Sequence, residues 1–250
     1  MPDVLRKIGH LSDDEDVVGT SLKLLSIAVF VVVWQLVSLA GVLVPSPLET
    51  LSRLAGIFRE GRFLLDIAHT LLRGLAGLVI AGVAAFAVGI PCGLSGKAMA
   101  ALSPLVTLWQ GCPPVVWLSL LLVWLGSGAA VPVIVVIAST FPVLFFNISK
   151  GTAALDRRYF EMAALYRVPK RRIVSKLILP GISTATKSAL TFAIGVTWKV
   201  TSTAEFFSAE NGIGARIQQS YQRIDMPSLF AWTLVIALIG LAIDSIKSHL

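Results

Sequence analysis

Almost every long stretch of this chain is apolar, and one basic, amphipathic island at residues 161–180 interrupts the pattern. Seven Lys or Arg residues fall between Arg157 and Lys176. A segment in lipid must be apolar and must satisfy its own backbone hydrogen bonds, so this island has to stand in water. With 56% hydrophobic and only 14% charged residues, the chain has too little polar surface to cover a soluble globule.

About twenty apolar residues cross the roughly 30 Å hydrocarbon core as a helix. Six such runs occur, near residues 22–40, 67–93, 102–125, 130–149, 182–204 and 228–246. The expected architecture is all-α and polytopic, with six transmembrane helices. Residues 1–21 are read as a solvated cytoplasmic tail and residues 22–250 as one membrane domain, since no polar stretch is long enough for a core of its own. Lys and Arg are retained near span ends on the cytoplasmic side. Placing both termini inside puts twelve of them there, against Arg53, Arg59, Arg62, Arg216 and Arg223 outside. The net charge of +7 therefore reads as topology and lipid contact, and no soluble basic domain is present to support nucleic-acid binding.

Cys92 and Cys112 both fall inside expected spans, where thiols behave as small buried hydrophobes. His10, His69 and His249 have no Cys or carboxylate at ligand spacing and imply no metal. The first apolar run follows the acidic cluster Asp13-Asp14-Glu15-Asp16 and is read as a retained span. After it, Val44-Pro-Ser-Pro-Leu48 turns the chain. Leu48, Leu51, Leu54, Ala55 and Phe58 then recur at helical spacing, as in a short helix on the outer membrane surface. Small residues crowd the second span, among them Gly74, Gly77, Gly82 and Gly89, which favours a packed helix seam over substrate contact. In the third span the pair Pro113-Pro114, near Trp117, marks either a broken helix at a gate or a plain kink.

Within the island, Leu155, Tyr159, Met162, Ala163 and Tyr166 share one helical face, and Asp156 is placed to cap the helix start. Val168-Pro169 bends the chain, and a second basic turn leads through Leu179-Pro180 into the fifth span. Two short helices joined by a bend would suit a groove on a partner protein. Lys199, roughly 26 Å along the fifth span, and Arg73, at a similar level in the second, either line a path that attracts an anion or snorkel to the interface. Thr197, Thr201, Ser202 and Thr203 around Lys199 are read as bonding to helix carbonyls in preference to a substrate. Glu205 should lie at the outer end, contacting a partner, balancing Lys199 or marking the interface. Asp244 is read as capping or pairing.

Glu161, Met162 and Ala163, followed by Leu177-Ile-Leu-Pro180, resemble the cytoplasmic signature of ATP-binding cassette importer permeases. In that family Glu-Ala-Ala, a Gly and Ile-x-Leu-Pro form coupling helices that dock on the ATPase subunit. Further fragments are similar to the nitrate, sulfonate, taurine and bicarbonate branch: Leu43-Val-Pro-Ser-Pro47, Val123-Trp-Leu-Gly126, Trp198, Ala204-Glu205, and Gly212-Ile-Gly214 followed by Asp225. The resemblance implies a type I, MetI-like permease bundle with coupling helices at about 152–180. It assigns ATPase coupling to Asp156, Tyr159, Glu161, Met162, Ala163, Ala164, Arg167, Pro169, Leu179 and Pro180. Arg73, Pro113, Pro114, Trp117, Trp198, Lys199 and Glu205 become candidates for the translocation path.

The same resemblance implies a non-catalytic, multi-pass protein of a bacterial inner membrane, working as a homodimer with two ATPase chains and a periplasmic solute-binding protein. The cargo would be a small anion. No cofactor is expected on this chain: it has no Gly-x-x-x-x-Gly-Lys-[Ser/Thr] phosphate loop, so ATP and Mg belong to the partner ATPases. Arg167 departs from the family's usual Gly, so the bend is either re-formed around Val168-Pro169 or brings Arg167 onto the ATPase. The alternatives are a same-fold importer for an uncharged or cationic nutrient, and an ATP-independent channel or secondary transporter. An intramembrane enzyme would need a Ser/His, paired-Asp or zinc cluster that the spans lack.

Overall fold

The computed structural model describes residues 21–22, 24–41 and 43–247. The expected amino-terminal tail, with Arg6, Lys7, His10 and the acidic cluster, lies outside the described residues, as does His249. The described residues form helices and turns without a strand. In chain order these are α1 (Leu24–Leu39), α2 (Pro47–Arg59), α3 (Phe63–Leu94), α4 (Gly96–Gly111), α5 (Pro114–Leu125) and α6 (Ala130–Ala153). The island follows as α7 (Arg157–Leu165), α8 (Lys170–Ile173), a π-helical turn (Val174–Ile178) and α9 (Leu179–Gly181). The chain ends with α10 (Ser183–Ser208), α11 (Ile213–Gln222) and α12 (Met226–Lys247).

Among the described residues three helices, α3, α6 and α12, are long and apolar enough to cross a membrane, or up to five spans if each of two bent pairs counts as one. The first apolar run forms the shorter α1, roughly 24 Å long at 1.5 Å per residue. The third expected span is not one helix: α4 and α5 meet at 89°. Pro113 and Pro114 carry no N–H to continue the ladder, and each restrains its predecessor to extended backbone, with ψ of 121° at Cys112 and 147° at Pro113. Cys112 is consequently exposed at the break, while Cys92 is buried as expected.

The bundle is organised around α3, which packs along α6 and α10 over a core containing Leu78, Ala81, Ala85, Phe145, Ile148 and Ala189. A Cβ at Gly77 would come within 2.7 Å of Val136 Cβ and 2.8 Å of the Val133 carbonyl, and Gly74 and Gly89 are similarly tight, so these three form a helix seam; Gly82 faces open space and lies outside it. A second cluster lies at the start of α3, where Leu54 and Ile57 of α2 meet Phe63, Ala231 and Trp232. Helix α2 starts with a capping box, Ser46 accepting from the Glu49 N–H and Glu49 from that of Ser46. Thr50, Leu54 and Ile57 are buried against the bundle, whereas Leu48, Leu51 and Phe58 of the apolar stripe are exposed.

Two glycines of α3, one inside the seam and one outside it, should differ in effect. Gly77→Ala should destabilise the protein by about 1–3 kcal/mol through overpacking. Gly82→Ala, where an added Cβ meets nothing within 4 Å, should stabilise it by up to about 1 kcal/mol. Thermal unfolding of the purified protein in detergent measures both.

Candidate functional site

The Asp156 carboxylate accepts a 2.9 Å hydrogen bond from the Arg158 N–H and caps α7 as expected. Along α7, Ala163 faces inward, while Tyr159, Met162 and Tyr166 are more than half exposed. Glu161 and Ala164 are exposed, and Glu161 lies 3.9 Å from Arg157, a solvated pair that contributes little. Helix α7 ends in a Schellman motif: Val168 N–H donates to the Ala163 carbonyl (2.9 Å) and Arg167 N–H to that of Ala164 (3.0 Å). Arg167 sits at the left-handed position with φ of 51°. The bend is therefore the one glycine would make, occupied by arginine.

Pro169 then caps α8, and Val168, Arg172, Ile173 and Lys176 close a groove of about 300 Å³ against Tyr159, Met162 and Tyr166. Ile178 is buried, while Leu179 and Pro180 stay exposed at a 65° bend into α10. The expected island residues thus share one end of the bundle.

At the opposite end of α10 the structure assembles a cluster that sequence reasoning did not see as one. The fully buried Glu205 carboxylate accepts from Thr70 Oγ1 (2.6 Å), Arg73 Nη1 (2.7 Å) and the Gly214 N–H (3.3 Å). Arg73 also donates to the Asn211 carbonyl (2.7 Å) and to Asn211 Oδ1. Asp66 accepts from the Gly212 N–H (3.1 Å) and from Arg216 Nε (2.7 Å), and Thr70 Oγ1 accepts from the Ile213 N–H (2.9 Å). The first N–H groups of α11 are thus capped by side chains of α3 and α10, with two arginines balancing two carboxylates. Gly212 is required here: its φ is 105°, and a Cβ would meet both Glu205 oxygens at 2.5 Å.

In this geometry the charges of Arg73 and Glu205 are committed to each other. Asp66, Thr70, Asn211 and Arg216 were not singled out from sequence. The available signal was the polar spacing Asp66, Thr70, Arg73, which places all three on one face of α3. Nearby, burial pushes the Asp225 carboxyl up, but the Ser228 hydroxyl and N–H, with the Arg53 and Arg223 charges, outweigh it and hold the group below its ordinary value.

Lys199 is exposed, its Nζ 5.5 Å from the Trp198 ring. It lies where two grooves meet. One, of about 290 Å³, is lined by Pro113, Pro114, Leu118, Val135 and Thr203; the other, about 360 Å³, by Trp198, Ser202, Phe206 and Phe207. The hydroxyls of Thr197, Thr201, Ser202 and Thr203 each donate to the carbonyl four residues back, as expected. Trp117 lies apart, packed 5.5 Å from Trp109, with its Nε1 buried and unpartnered among the described residues. The sequence candidates therefore divide: Pro113, Pro114, Trp198 and Lys199 converge, Arg73 and Glu205 form the buried cluster, and Trp117 joins neither.

The family model described as "Binding-protein-dependent transport system inner membrane component" matches residues 77–250. The taurine transport system permease protein TauC of Escherichia coli (strain K12) is 24% identical over 233 residues, covering 90% of this chain and 85% of that protein. The bicarbonate transport system permease protein CmpB of Synechococcus elongatus is 27% identical over 241 residues, covering 90% and 86%. Among solved structures, a bacterial ABC transporter involved in import of the acidic polysaccharide alginate contains a chain that superposes with a TM-score of 0.67. At 12% identity it covers 94% of this chain and 95% of its own, which establishes a shared fold.

The occupied left-handed position gives a direct test. Arg167→Gly should stabilise the island bend by about 0.5–1 kcal/mol, the relief of a positive φ less glycine's larger unfolded-state entropy. Slower amide hydrogen exchange at Val168 would register it.

Proposed function

The chain belongs to the family of binding-protein-dependent transport system inner membrane components and is the permease subunit of an ABC importer; from that premise we propose that it works as a homodimer importing a small anion. In this reading both termini and the island face the cytoplasm of a bacterial cell, and the island docks on two partner ATPases that hold ATP and Mg. A periplasmic solute-binding protein delivers the cargo to the other side. The observation that carries the docking is the exposed island, held in a defined bend, with an apolar groove between its two short helices. Its contact residues are those around α7 and the bend, from Asp156 to Pro169, with Leu179 and Pro180 beyond.

The anion is favoured by where free positive charge remains. Arg73 and Arg216 are neutralised by Glu205 and Asp66, whereas Lys199 presents its ammonium in the groove at the Pro113-Pro114 break. Relatives named for taurine and bicarbonate transport point to the same cargo class. Driving the cycle requires only that the partner have different affinities for two permease conformations.

Glu161→Lys should lower ATPase binding by about tenfold or more, equivalent to about 1.4 kcal/mol, with membrane insertion unchanged. Co-purification with the ATPases decides it, and undiminished assembly would count against the docking. Lys199→Met should slow uptake of radiolabelled taurine, bicarbonate or nitrate by about tenfold, the scale of electrostatic focusing in a low-dielectric cleft. Unchanged uptake and anion preference would assign Lys199 to interfacial snorkelling.

A further inference from the structure

Helix α10 spans 26 residues, roughly 39 Å at 1.5 Å per residue. One of its ends joins the island through a bend, and the other carries Glu205. There the exposure of the four charged side chains is 0% for Glu205, 4% for Asp66, 12% for Arg73 and 23% for Arg216. Because the first N–H groups of α11 bond to Asp66, Thr70 and Glu205, α11 cannot shift relative to α3 or α10 without stranding buried charge. Beyond this anchored start, Tyr221 and Ile224 are 60% and 66% exposed.

We propose that Glu205, Arg73, Asp66 and Arg216 are positioning residues for transport: they lock α11 to α3 and α10, so that contact made on α11 by the binding protein reaches the island through α10. This rests on the reading that the island meets the ATPases. The clamp acts after docking, so its loss separates how tightly the binding protein engages from how strongly that engagement is felt.

The test uses the full complex of permease, ATPases and loaded binding protein in liposomes, with ATP hydrolysis followed as binding protein is titrated. Glu205→Gln and Arg216→Gln should each lower maximal stimulation by about fivefold or more, with half-stimulating concentration within about twofold and unstimulated hydrolysis unchanged. Arg216→Lys, which keeps a charged donor for Asp66, should retain stimulation. Full stimulation in both glutamine variants would overturn the proposal. Loss of assembly or of unstimulated hydrolysis in both would also overturn it, by reducing the clamp to a support of the fold. Failure of the docking reading shows separately, as an assembled complex that Glu161→Lys leaves unchanged.

Discussion

Burying the Glu205 carboxylate is the constraint on which the far end of this bundle depends. An isolated carboxylate out of water is strongly disfavoured, and a buried ion pair is tolerated only with good geometry and satisfied lone pairs. Thr70 and Arg73 on α3 and the Gly214 N–H on α11 supply those partners. The carboxylate in turn satisfies an orphan donor at the start of α11. Removing any one partner therefore exposes a deficit in the others, and α3, α10 and α11 are specified together.

The same logic makes sense of glycines that composition alone leaves ambiguous. Gly77 lies against Val136 and the Val133 carbonyl, so its lack of a side chain is what lets α3 and α6 close. Gly212 serves a different purpose, combining a positive φ with room for Glu205. One residue type thus sets a helix-to-helix distance in the seam and a loop conformation at the clamp.

The apolar runs were legible because a bilayer imposes composition and length on whatever crosses it. The break at Pro113-Pro114 was legible as well, since two consecutive residues without N–H cannot sustain a helix, but its 89° angle depends on how α5 packs with Leu118 and Leu121 buried. At Arg167 the sequence left open a bend re-formed around Val168-Pro169 or an Arg167 contact with the ATPase. The Schellman hydrogen bonds keep the bend at Arg167 itself, in the left-handed position. The pairing of Arg73 with Glu205 was not legible because depth along a helix is a one-dimensional argument. It registers an unexpected charge but not a partner 132 residues away.

The two ends of α10 also differ in how they resist displacement. At the clamp, movement would separate charges whose carboxylates are almost fully buried, so the penalty is steep. At the island, Leu179 and Pro180 are exposed, and a π-helical turn departs from regular α geometry just before the 65° bend. The two ends of α10 are thus held by different means: buried ion pairs fix it to α3 and α11 at Glu205, while at the island it meets a bend whose polar groups stand at the surface.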